Sequence, residues 1–268
     1  MRKFTQSLAL AALLLSTSAY AQNVAPAATV AAKTAPVPWL YEGSDVPVDD
    51  TWTFGVLPNG LRYAVKKNDV PAGQVSIRVR IDAGALHENN DEQGFAHLIE
   101  HLSFRGSTFV PDGEAKRIWQ RFGVTFGSDS NAQTTPTQTV YKLDLPNATP
   151  EKLDESVKII SGMIRNPRIS PSALNAERAI VLAELRENSG AQMVYSDTLR
   201  QHAFQGQRLA NRSTIGTPET LQAADAIRLS AFHDRWYRPE NTVVVMAGDM
   251  EPAKLANLVQ KYFNDWRG

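Results

Sequence analysis

From Gln74 to Asp82 apolar and polar residues alternate. Val75, Ile77, Val79 and Ile81 share one face, and Arg78 and Arg80 the other, which predicts a strand with one buried face. Two further strand-like runs, Thr51 to Val56 and Leu61 to Lys66, flank Pro58-Asn59-Gly60, and Asn-Gly favours a hairpin because both residues tolerate positive φ. The period then lengthens. From Gly94 to Phe104, Phe95, Leu98, Ile99 and Leu102 recur at helical spacing, and Asp91 and Glu92 lie just ahead, where a helix dipole favours negative charge. A second helix is predicted over Gly113 to Arg121, then strands over Val124 to Thr134 and Gln138 to Leu145.

Thr149-Pro150 opens a helix that runs to about Arg165, with Thr149 as cap and Pro150 in the first turn. Ser170-Pro171 opens another, to about Asn188. A helix over Leu221 to Trp236, a β-branched strand over Thr242 to Ala247 and a helix over Pro252 to Trp266 complete the chain. Hairpins interleaved with helices predict an α+β fold, a mainly antiparallel sheet with helices packed on it.

Composition narrows the function. Hydrophobic residues make up 43% of the 268 and charged residues 21%, so a sizeable core is available. Lys plus Arg and Asp plus Glu number 28 each, which removes the basic footprint of a nucleic-acid binder. The absence of cysteine excludes disulfides, thiolate metal sites and thiol nucleophiles. Arg2 and Lys3, the apolar run Leu8 to Leu15 and Ala19-Tyr20-Ala21 form a secretory leader over residues 1–21. Residues 22–38, rich in Ala, Pro and Val, read as a flexible tether, so the folded domain is placed at residues 39–268. The expected setting is outside the cytoplasm, in a bacterial periplasm, with no stable membrane insertion.

The candidate chemistry lies in Gly94-Phe95-Ala96-His97-Leu98-Ile99-Glu100-His101. On a helix, residues four apart lie about 40° apart around the axis and one turn along, so His97 and His101 can grip one ion. Glu100 can reach a water on that ion without being a ligand. This is the inverted zincin pattern, H-x-x-E-H. A solvated histidine pair on a helix surface is the bland alternative. Zinc needs a third protein ligand. On the helix from Ser170, Glu177 and Glu184 are seven apart and share nearly one face, beside Ile180 and Val181, and spacing alone leaves the choice open. The lone histidines His87, His202 and His233 read as surface or hydrogen-bonded residues.

These segments carry a resemblance. Asn59-Gly60-Leu61-Arg62, Gly84 to Glu88, Gly94 to His101 with Phe104 to Ser107, Asn131 to Thr134, Glu177 to Glu184, and Trp236 to Asp249 are similar to the pitrilysin-like M16 metallopeptidases. That family includes insulin-degrading enzyme and the mitochondrial processing peptidase. The likeness spans about residues 50–268 and implies a LuxS/MPP-like metallohydrolase domain holding one zinc ion per chain. By resemblance His97, His101 and Glu184 are the zinc ligands, Glu100 is the general base and Glu177 is a second acidic residue supporting the site. Glu184 lies 83 residues after His101, a longer gap than the family's usual one, and counting alone favours Glu177. Asn131 and Ala132 match the edge strand that pairs with substrate backbone.

Family enzymes pair this domain with a similar second one, on the same chain or on a partner subunit. The resemblance therefore implies peptide substrates, a second M16-like domain or a homo- or heterodimer, and poor cleavage by this chain alone. A non-catalytic peptide-binding or structural subunit, or an inactive fragment, is the competing reading. A lyase of the LuxS type shares the H-x-x-E-H helix but needs a cysteine ligand, which this chain lacks.

Overall fold

The computed structural model describes Trp39 and residues 41–268. The leader read at residues 1–21 and the tether at 22–38 lie outside them. Among the described residues six strands form one sheet: β1 (Thr53–Val56), β2 (Arg62–Lys67), β3 (Val75–Ile81), β4 (Ser130–Thr134), β5 (Thr139–Leu145) and β6 (Thr242–Gly248), in the order β1-β2-β6-β3-β5-β4. Every neighbouring pair is antiparallel except β2 with β6. The last strand thus enters between the first hairpin and β3, and β4 forms one edge.

The local grammar is mostly what the sequence dictates. Gly60 takes φ +91° in the loop between β1 and β2, whereas Asn59 stays out of the left-handed region and donates its side-chain amide to Phe263 O at 2.7 Å. Along β3 the four aliphatic residues are buried, Arg78 is half-buried and Arg80 exposed. Eight α-helices lie among the described residues: α1 (Phe95–Ser103), α2 (Glu114–Arg121), α3 (Pro150–Arg165), α4 (Pro171–Glu187), α5 (Ala191–Ala203), α6 (Pro218–Ala223), α7 (Ala226–Trp236) and α8 (Pro252–Phe263). Thr149 and Ser170 cap α3 and α4 by accepting from Lys152 N and Ala173 N. In α1, Phe95, Leu98, Ile99 and Leu102 are fully buried, each contributing about 1.5–3 kcal/mol over an exposed position. That helix is therefore anchored by one face while the other carries the histidines.

Three elements depart from the expectations. The predicted strand over Val124 to Thr134 begins only at Ser130, because Gly127 takes φ +94° and Asp129 folds back to accept from Thr125 N. The helix expected over Leu221 to Trp236 is two helices, since Ala224 is extended and Asp225 caps α7 by accepting from Arg228 N. Helix α5 gave no periodic signal and buries none of its residues. On α4, Val181 is fully buried but Ile180 is half exposed.

Candidate metal centre

Helix α1 delivers His97, Glu100 and His101 to one side of the core, and α4 lies across it with Glu177 and Glu184. Because α1 turns about 100° per residue, the fully buried Leu98 and Ile99 on one side leave His97 and His101 pointing together on the other. Their rings meet edge to face with centroids 4.7 Å apart. Glu184 Oε2 lies 3.7 Å from His97 Nε2 and 3.7 Å from His101 Nε2. The three donor atoms lie within 4.8 Å of one another, the only such group among the described residues.

This donor set fits zinc. Ligand atoms about 2.0–2.1 Å from a tetrahedral ion stand roughly 3.3–3.4 Å apart, so small side-chain movements bring the trio into range. Two imidazoles and a carboxylate leave the fourth position open. His101 has its other nitrogen occupied, since Nδ1 meets Glu177 Oε2 at 3.0 Å. Carboxylate contact at Nδ1 keeps the proton there and leaves Nε2 as the lone-pair donor. Glu177 is buried, with Arg105 Nε 3.3 Å away as a counter-charge. The residue favoured by counting therefore stands behind the histidine, and Glu184 faces both Nε2 atoms.

The electrostatics follow from burial. His97 is pushed down to about 4, first by burial and then by the charge of His101. For His101 burial is the largest influence and pulls downward, but the Glu177 contact and the charges of Glu100, Glu177 and Glu184 together raise it. Burial lifts the Glu100 carboxyl above the usual range, against the pull of the Thr134 hydroxyl, whose Oγ1 donates to Glu100 Oε2 at 2.5 Å. A buried carboxylate held this way can exchange a proton with a neighbouring group.

Around these residues lies an open cleft of about 520 Å³. Asn131 to Thr134 of β4 form one wall, Met193, Asp197 and Arg200 of α5 another, and Ser213 to Ile215 a third. Asn131 is exposed and its Oδ1 accepts from Ala132 N. The outer side of β4 has no strand beside it among the described residues. His233 is buried and bonded to Ile164 O through Nε2, His87 accepts from Gly84 N, and His202 is exposed.

Three contributors escaped the sequence reading. In the sequence Thr134 is only part of a strand, and nothing local links it to Glu100 across 34 positions. The cleft wall from α5 has no core-facing stripe to reveal it. Asp91 and Glu92 looked suited to the start of α1, but Arg228 and Arg235 engage them, and Glu88 meets the helix amides instead.

An H-x-x-E-H helix facing a carboxylate on a neighbouring helix, beside a sheet edge, is the arrangement expected of an inverted-zincin metal site. The insulinase family (peptidase family M16) matches residues 63–217, and the M16 inactive domain matches residues 224–268, beyond the residues of the cluster. The chain belongs to peptidase family M16. It is 32% identical over 222 residues to the probable zinc protease PqqL of Haemophilus influenzae, covering 83% of this chain and 24% of that protein. It superimposes on the periplasmic protease PqqL of Escherichia coli with a TM-score of 0.79 at 28% identity, covering 83% of this chain and 24% of that one. On the separately solved first half of the same protease it also scores 0.79 at 28% identity, covering 83% of this chain and 47% of the half. The chain thus spans about a quarter of the length of the full relatives it matches.

Proposed function

We propose that this chain is the catalytic domain of an exported zinc endopeptidase that hydrolyses peptides or unfolded segments. The convergence of His97 Nε2, His101 Nε2 and Glu184 Oε2 carries the proposal. In this reading those three residues hold one zinc ion. A bound zinc would polarise the scissile carbonyl and lower the pKa of a water so that it attacks as hydroxide. Glu100 takes the proton of the attacking water and passes it to the departing amine nitrogen. The Thr134 hydroxyl fixes the orientation of the Glu100 carboxylate, and Glu177 holds the His101 ring.

The uncovered side of β4 suits an extended peptide, which would add as a strand alongside Asn131 and Ala132. The cleft is open, so a second M16-like half, on the same polypeptide or on a partner subunit, would enclose it for full activity. The greater length of the relatives supports this part of the reading. The leader at residues 1–21 and the periplasmic setting of the Escherichia coli relative support export to the periplasm. Among the described residues no helix is long and apolar enough to cross a membrane.

The test is zinc content of the wild type and His101→Ala, with cleavage of a quenched fluorescent peptide read in the same samples. The expected result is about one zinc per wild-type chain, lost on His101→Ala, and a zinc-replete Glu100→Gln that cleaves nothing. A zinc-free wild type, or an active Glu100→Gln, overturns the proposal.

A further inference from the structure

The start of α1 poses a problem that its own residues do not solve. Four backbone N–H groups at a helix start need partners, and Ser, Thr, Asp or Asn at the cap position ordinarily supplies one. Here the cap residue is Gly94, with φ +92° and no side chain to accept. Nothing larger fits: a Cβ at position 94 would lie 2.8 Å from Ile215 O, in the segment that lines the cleft.

A carboxylate from six residues upstream fills the role. Glu88 Oε2 accepts from Gly94 N at 3.0 Å and Oε1 accepts from Ala96 N at 2.9 Å, while Phe95 N donates to Glu92 O at 2.9 Å. Glu88 has no exposed surface. Burial pushes its carboxyl up to about 7 against those two amide bonds and the charge of Arg212. Its backbone carbonyl in turn accepts from Arg208 and Arg212, and Arg212 also donates to Asn90 Oδ1 at 2.6 Å. The short turn bearing Glu88 is therefore anchored to the segment leading to Ser213. A buried carboxyl is costly unless it is hydrogen-bonded, and both oxygens of Glu88 accept from the start of α1.

His97 depends on it. It is the third residue of α1, next to Ala96, whose amide Glu88 holds. Its Nδ1 is buried with no hydrogen-bond partner among the described residues, so no contact of the ring nitrogen behind it fixes the ring as Glu177 fixes His101. Its aim depends on the backbone of the first turn. We propose that Glu88 is a positioning residue of the metal centre, clamping the first turn of α1 so that His97 Nε2 faces His101 and Glu184. This rests on the zinc reading above.

The test compares zinc affinity, by chelator competition on the folded chain, in the wild type, Glu88→Gln, Glu88→Asp and Leu255→Ala. Leu255 is buried in α8, far in sequence from the metal helix, and its truncation reports loss of stability alone. Gln presents one acceptor and one donor where two acceptors are needed, so Glu88→Gln is expected to weaken zinc binding about 2- to 30-fold, the range a lost helix cap covers. Glu88→Asp keeps the charge with a shorter reach and is expected to fall between it and the wild type. It serves as the second variant if Glu88→Gln does not fold. Leu255→Ala is expected to hold zinc as the wild type does. Deuterium exchange over residues 94–97 in the zinc-free proteins is expected to quicken in Glu88→Gln and not in Leu255→Ala. Wild-type affinity in both Glu88 variants overturns the proposal, as does an equal loss in Leu255→Ala. A wild type that binds no zinc overturns the metal reading and the role of Glu88 toward it together. Faster exchange in Glu88→Gln would then place the failure in the metal and not in the cap.

Discussion

Glu177 Oε2 lies 3.0 Å from His101 Nδ1, on the far side of the imidazole from Glu184. The two acidic residues of α4 thus address opposite nitrogens of one ring, and they are expected to fail differently. Glu184→Gln removes a charged donor, whereas Glu177→Gln loosens only the ring behind it. Zinc affinity should fall further in Glu184→Gln, with Glu177→Gln about 10- to 100-fold below wild type. Chelator competition gives the order, and the reverse order would make Glu177 the ligand.

The Thr134 hydroxyl donates to Glu100 at 2.5 Å from a strand at the cleft edge. A hydrogen bond to a charged group is worth about 1.5–3 kcal/mol. Thr134→Val should therefore lower kcat at least roughly tenfold, with zinc content unchanged. Steady-state kinetics on a peptide substrate, beside metal analysis, checks this, and an unchanged kcat would remove Thr134 from the site.

Gly216 takes φ +85°, and a Cβ there would lie 2.5 Å from Gln93 O, against the start of the metal helix. Gly216→Ala combines left-handed backbone strain with that clash, and a destabilisation of about 1–3 kcal/mol is expected. Urea unfolding measures it, and wild-type stability would mean that the two segments part freely.

Two buried groups give the zinc-free chain opposite responses to acid. His97 sits at about 4 when folded and 6.5 when not, so its burial costs stability as pH falls from 6.5 towards 4. Glu88 sits at about 7 when folded and 4.5 when not, so the folded chain takes up that proton first and gains stability as pH falls from 7 to 4.5. Glu88→Gln deletes the second response and leaves the first. The stability gap between wild type and variant in EDTA should widen on acidification from 6.5 to 4.5, by up to about 1.4 kcal/mol per pH unit. Denaturant midpoints across that range test this. His87 and His233 titrate in both proteins and cancel in the difference.

Much of this protein is written locally. The alternation of β3, the caps Thr149 and Ser170, and the four-residue spacing of His97 and His101 each follow from side chains acting on their own backbone or sharing one helix face. Such effects have a short range, so a sequence displays them. The split between α6 and α7 was also local, held in the capping side chain of Asp225, but the continuous apolar pattern concealed it.

What the tertiary structure decided has no sequence period. Glu177 and Glu184 share one helix and nearly one face, and only the crossing of α4 over α1 sets one against His101 Nδ1 and the other against both Nε2 atoms. Glu88 caps α1 where the close approach of Ile215 O excludes any side chain at position 94, a contact between segments more than a hundred residues apart. Thr134 reached Glu100 because β4 lies at the sheet edge beside α1. These pairings are set by how packed elements meet, and packing is a property of the whole core: no short stretch of chain contains it.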